Sequence, residues 1–188
     1  MRVTIKTGIL FAVIFMLVKL SFLGMGKSNE MLVPAVMTNI LLLLSAISVG
    51  LYLEKRKETE ESNALRDVKN GMVSGVIYAA LVSVFIYFYY AKIDVDFNKH
   101  QIAEQEILLE KTMKNPKELI KLKASNEAFE TMTNKELKRH FQKSLRANYS
   151  PKSVSTVSLL AMLLLSTLNS IFVTAVYRKI VFSKRALK

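Results

Sequence analysis

Four long runs of the chain are apolar on every side, and that constrains its fold more than any other feature. The first covers Gly8 to Met25 and is broken only by Lys19. The second covers Met31 to Leu53, the third Asn70 to Ala91 and the fourth Ser153 to Tyr177. At 1.5 Å per residue each reaches about 27 Å or more, enough to cross a hydrocarbon core of ~30 Å. A water-soluble helix or strand keeps one polar face at its own period, and these runs keep none. Backbone groups in lipid must pair within the segment, so the spans are expected to be helices. Pro34 falls in the first turn of the second, where its missing N–H costs nothing.

The expected fold is therefore all-α: an integral membrane four-helix bundle with spans at about 8–25, 31–53, 70–91 and 153–177. Residues 92–150 form a helical extramembrane insertion between spans three and four. A signal peptide is the competing reading of the first run, since Arg2 and Lys6 precede it. Gly24-Met25-Gly26 is a poor cleavage site, and Lys19 interrupts the run, so a retained span is preferred.

Charge gives the orientation. Arg2 and Lys6 precede the first span, Lys55, Arg56, Lys57, Arg66 and Lys69 separate the second from the third, and Arg178, Lys179, Lys184, Arg185 and Lys188 follow the fourth. The opposite side has Lys27 and a long lysine-rich segment that counts little toward the rule, so both termini are expected in the cytoplasm of an inner membrane. The net charge of +12 is thus expected to meet lipid headgroups, with no nucleic-acid partner. Tyr87 to Tyr90, Tyr52 and Tyr177 read as interfacial aromatics.

The first and third spans match at an offset of 63: Lys6-Thr7-Gly8-Ile9 falls on Lys69-Asn70-Gly71-Met72, and Ala12 to Phe15 on Gly75 to Tyr78. A duplicated two-helix hairpin and plain compositional likeness both account for it. Gly71 and Gly75 form a GxxxG, and the fourth span is rich in small polar residues that hydrogen-bond across helices, Ser166 and Ser170 among them. These four are candidate helix-packing residues.

In the insertion, Asn115-Pro116-Lys117-Glu118 and Thr133-Asn134-Lys135-Glu136 are helix starts. The second opens a helix with Leu137, Phe141 and Leu145 on one face and Lys135, Lys138, Arg139, Lys143 and Arg146 on the other. Two readings stand side by side: a basic helix at the membrane surface, or an ordinary helix packed on its neighbour. Asp94 and Asp96 read as helix caps.

No chemistry-bearing constellation emerges. There are no cysteines and two histidines forty residues apart, and no phosphate loop or nucleophile motif. No catalytic, cofactor-binding or metal residues are expected, and the spans offer no Asp, Glu, His or Cys. Lys19, Asn39 and Asn169 are the candidate intramembrane polar residues, either as a polar cavity or, for Lys19, as a side chain snorkelling to the outer interface. The expected function is a non-enzymatic accessory or interaction subunit, partnered by the bilayer and by a membrane protein or itself. Alternatives are a small carrier or channel acting as an oligomer, and a lipid-binding or surface-sensing protein.

The segment Leu65 to Gly75 (LRDVKNGMVSG), the insertion from Thr131 to Phe141 and the span from Ser153 together resemble a Bacteroidota family of small four-span inner-membrane proteins, the domain of unknown function numbered forty-one ninety-nine. That resemblance implies the membrane location and the four spans, and it brings no site residues.

Overall fold

Apolar runs that must satisfy their own backbone in lipid have one economical solution, and the computed structural model adopts it. The structure describes residues 2–26, 30–57 and 63–182. Among these lie α1 (Val3–Gly24), α2 (Leu32–Lys57), α3 (Ala64–Phe88), α4 (Val95–Lys114), α5 (Pro116–Ala124), α6 (Glu127–Glu130), α7 (Asn134–Asn148) and α8 (Pro151–Val176), with no strand. Single π-helical stretches extend α3 (Tyr89–Ile93) and α8 (Tyr177–Phe182). Lys27, Lys184, Arg185 and Lys188 lie outside the described residues.

Four helices are long and apolar enough to cross a membrane: Val3–Gly24, Leu32–Lys57, Ala64–Ile93 and Pro151–Ile180. Each outruns its apolar stretch, because a helix continues into polar sequence until a breaker stops it. α1 begins five residues before Gly8 and ends at Gly24, with Met25 as its C-cap and Gly26 beyond it at φ +69°, the left-handed geometry that closes a helix. α3 begins six residues before Asn70, which brings Asp67 into its first turn.

The chain divides into two compact units. The first holds residues 1–86 and 155–188, the second residues 87–154. Within the first, α1 and α2 pack on each other, and α3 carries the most buried residues of the four spanning helices. Backbones approach closely along it. A Cβ on Gly8 of α1 would sit 2.6 Å from the Ser74 carbonyl oxygen of α3. One on Gly50 of α2 would sit 2.7 Å from Thr7 Oγ1 and 3.0 Å from Ser74 Oγ. On the other side of α3, a Cβ on Gly71 would meet Ser170 Oγ at 3.2 Å, and one on Gly75 would overlap Ser166 outright. The two glycines aligned by the internal match thus share a job with different partners: Gly8 admits α3, and Gly71 admits α8.

The second unit is built on α4, against which α5, α7 and the Tyr89–Ile93 stretch pack. Its helices start on side-chain caps. Asn115 and Asn126 accept the N–H groups of Lys117 and Ala128, and Thr133 and Glu136 close a reciprocal capping box. Leu137 is fully buried, and Phe129 sits 5.4 Å from Phe141. α7 therefore packs its apolar face on protein, as the second of the two sequence readings has it.

Two expectations need correcting. Asp94 makes no cap hydrogen bond and accepts the Tyr89 hydroxyl instead at 3.2 Å, while Asp96 pairs with Lys99 at 2.8 Å. In the aromatic cluster only Tyr87 and Phe88 are exposed. Tyr89 and Tyr90 are buried, and Tyr90 stacks on Phe97 at 5.0 Å. These two rings continue the buried face of α3, falling three and four residues after Ile86 as Val82 and Ser83 fall before it.

Close packing along α3 makes a specific prediction. Gly75→Ala and Gly8→Ala should each cost about 1–3 kcal/mol in a reversible detergent unfolding assay, as overpacked sites do. Ser166→Gly should restore the Gly75→Ala variant, whereas nothing can restore Gly8→Ala, since the obstacle there is backbone. Gly24→Ala, with nothing within 4 Å, should cost nothing by packing.

Candidate functional site: a polar seam through the bundle

Most buried polar side chains of the spanning helices lie at contacts between helices, whereas Ser21, Ser45 and Thr167 bond back to carbonyls of their own helices. At one end of α3, Asp67 is buried to 1% exposure between two cations. Lys55 Nζ of α2 lies 2.9 Å from Oδ1, and Arg178 Nη1, just past α8, lies 2.9 Å from Oδ2. Three helices are thereby tied to a single carboxylate. From the sequence, Lys55 and Arg178 read as charges flanking the spans, and Asp67 lies three residues before the third apolar run; the helical start at Ala64 brings all three together. A signal did exist: Asp67, Gly71 and Gly75 repeat every four residues, as do Ser166, Ser170, Thr174 and Arg178. Two such ladders on antiparallel helices bring their members together in order. Tyr177 adds a further tie to α2, donating to the Ser48 carbonyl at 3.1 Å, with its ring edge-on to Tyr52 at 6.3 Å.

Further along, Ser74 Oγ donates to the Ala46 carbonyl at 2.8 Å and lies 3.1 Å from Thr7 Oγ1, joining α1, α2 and α3. Ser83 and Ser155 exchange hydroxyl-to-carbonyl bonds of 3.1 and 2.8 Å between α3 and α8. The hydroxyls of Ser166, Ser170 and Thr174 are buried with no hydrogen-bond partner. The first two face Gly75 and Gly71, where Cα–H···O contacts are the available partners. All four candidate packing residues thus occupy one α3–α8 contact.

The three candidate intramembrane polar residues do not converge. The Asn39 amide accepts the Tyr78 hydroxyl at 2.7 Å and reaches Met162 Sδ at 3.5 Å. Asn169 is half-buried beside Ser170, level with Gly71, seven residues or about 10 Å below Tyr78. Lys19 lies eleven residues beyond Gly8 and so stands about 10 Å above Tyr78. The structure buries Lys19 to 4% exposure instead of letting it snorkel.

On α7 the five basic residues divide. Lys138 turns toward α4 and pairs with Glu110 at 2.6 Å, and Arg146 stands 3.7 Å from Glu106. Lys135, Arg139 and Lys143 are exposed. The Lys138 hydrogen bond, then its charge, holds the Glu110 carboxyl below its ordinary value, and the backbone N–H and hydroxyl of Thr133 do the same for Glu136. Among the described residues no three His, Cys, Asp or Glu side chains gather as a metal site would require.

Two predictions follow from these contacts. Asp67→Asn should destabilise the protein by about 3 kcal/mol, because it strands buried charge. Arg178→Gln should cost under about 1 kcal/mol, since that side chain is 43% exposed and Lys55 still pairs with Asp67. For α7, both glutamates have lowered folded values, so their contribution is complete above the unfolded value of 4.5 and lost as pH falls through the folded ones. Amide-exchange protection of α7, corrected for intrinsic rate, should stay flat from about pH 7 to 5 and drop below 4.5. A Glu110→Gln, Glu136→Gln double variant should abolish that drop.

Comparison with known proteins adds the lineage. No curated protein and no solved structure matches the chain. A family model described as "Protein of unknown function (DUF4199)" matches residues 5–179, which takes in all four spanning helices and the whole insertion. This multi-pass membrane protein therefore belongs to the DUF4199 family.

Proposed function

We propose that the chain is a non-enzymatic interaction subunit of a bacterial inner membrane, of the Bacteroidota type, with both termini cytoplasmic. The observation that carries this reading is how the polar groups of the spans are spent. Asp67, Lys55, Arg178, Ser74, Ser83, Ser155, Asn39 and Tyr78 all serve contacts between helices of the same bundle. Interhelical bonds of this kind are worth about 0.6–2 kcal/mol each in a membrane, and together they make a rigid body. The outward faces stay apolar and unspent. Leu164, Leu168 and Phe172 of α8 are between 64% and 69% exposed, a lane for lipid or for another spanning helix. The orientation is supported by Lys55, Arg66 and Arg178 gathering at the Asp67 end.

A second reading, a small carrier acting as an oligomer, rests on Lys19. An ionisable group buried in a span is costly enough to suggest a purpose. Against it, Lys19, Asn39 and Asn169 sit at three levels.

Extraction of the native protein in mild detergent, followed by mass measurement of the intact assembly, tests the proposal. A larger membrane protein held at fixed stoichiometry is the expected result. A homo-oligomer that conducts or exchanges solute in proteoliposomes, and loses that flux on Lys19→Met, would overturn it in favour of the carrier.

A further inference from the structure

One surface of the second unit takes almost no part in the contacts described so far, the long Arg146–Glu106 pair excepted. Around α7, Leu137, Phe141 and Leu145 turn toward protein, and Lys138 turns with them toward Glu110. Opposite them, Arg139, Gln142, Lys143 and Arg146 stand at i, i+3, i+4 and i+7 and form a single stripe. They line a shallow groove of about 500 Å³ that contains no carboxylate. Among the described residues Arg139 and Lys143 have no ion-pair partner. Arg146, at 3.7 Å from Glu106, is too far for a hydrogen bond and keeps its guanidinium donors available. The nearest acid along the helix is Glu136, whose carboxylate is already bonded to Thr133.

The geometry points to a binding site for the phosphodiester headgroup of an anionic lipid, held by Arg139, Lys143 and Arg146 with Gln142 as an additional donor. Two features select a lipid over other anions. The first is donor chemistry: two planar guanidinium forks and an ammonium around a headgroup-sized groove match phosphate oxygens. The second is the tether. Asn148 ends α7 and Pro151 begins α8, so about 10 Å of chain at most separates this helix from a membrane-spanning one. A basic stripe tethered by so short a linker to a spanning helix meets headgroup phosphate at raised local concentration. The apolar face of α7 is packed on protein, so the contact is electrostatic and leaves α7 outside the acyl chains. This site is independent of the proposed subunit role and would hold if that role failed.

The test uses the full chain in a neutral detergent and counts bound lipid by native mass measurement, with phosphatidylglycerol and phosphatidylcholine as probes. The triple variant Arg139→Gln, Lys143→Gln, Arg146→Gln should lose about tenfold or more in phosphatidylglycerol occupancy. A control with the same charge loss elsewhere in the unit, Lys111→Gln, Lys114→Gln, Lys117→Gln, should keep it. Equal loss in both variants, or none in the triple, overturns the site. So does displacement of the lipid by millimolar inorganic phosphate, which would mark a free-anion site. If the triple variant does not fold, the unaltered protein answers the question. Modification of Arg139 by an arginine-selective dicarbonyl should slow about fivefold or more in phosphatidylglycerol bilayers relative to phosphatidylcholine, and equal rates overturn the proposal.

Discussion

Everything in the bundle depends on how closely other backbones can approach α3. In water, helices associate because burying apolar surface is favourable. In lipid that drive is absent, and helices meet through van der Waals contact and hydrogen bonds instead. Both demand small residues at the contact. α3 supplies Gly71, Ser74, Gly75 and Ser83, and its partners reply with Thr7 and Gly8, Ala46 and Gly50, and Ser155, Ser166 and Ser170. The glycines remove the side chain that would hold the helices apart, and the hydroxyls add bonds at the distance thus allowed. Neither device works without the other: Ser74 reaches the Ala46 carbonyl because Gly50 leaves room beside it.

The ionic cluster at the end of α3 has a different character. A carboxylate with 1% exposure pays heavily for leaving water, and two cations 2.9 Å away repay that cost only in this geometry. Such a cluster contributes more to register than to stability. A slip of α8 by one residue along α3 would part Arg178 from Asp67 and lift Ser166 and Ser170 off their glycines at once. The seam is therefore an alignment device from end to end. Spending its polar groups this way leaves the outer surfaces of α1, α2 and α8 apolar.

The membrane class and the four helices were legible because a run such as Met31 to Leu53 has no soluble alternative. The caps at Asn115 and Thr133 were legible for an equally local reason, since each depends on a residue and its third neighbour. The GxxxG of α3 could be named from spacing and the serines of α8 from their small polar side chains, though only the fold shows that they meet each other. Asp67 was missed because apolarity was taken to mark where the helix begins, and a helix does not stop where hydrophobicity does. The burial of Lys19 could not be read from the sequence, because coverage depends on residues distant along the chain. Tyr89 and Tyr90 look like an interfacial belt in sequence because four aromatics run together, yet their spacing from Val82, Ser83 and Ile86 puts them on the buried face of α3.

The account stands on α3 being the common partner of α1 and α8, and the absence of cysteine from the chain makes this directly measurable. Two pairs are introduced separately, Thr7→Cys with Ser74→Cys and Ser83→Cys with Ser155→Cys, at positions whose hydroxyls are 3.1 and 3.0 Å apart. Oxidation in native membranes should close both bridges within a single chain, because the two side chains of each pair already meet tip to tip. A third pair, Ser83→Cys with Leu164→Cys on the outward face of α8, should stay reduced. Bridges that form only between chains, or an outward pair that closes as readily as the inward ones, would contradict the bundle described here.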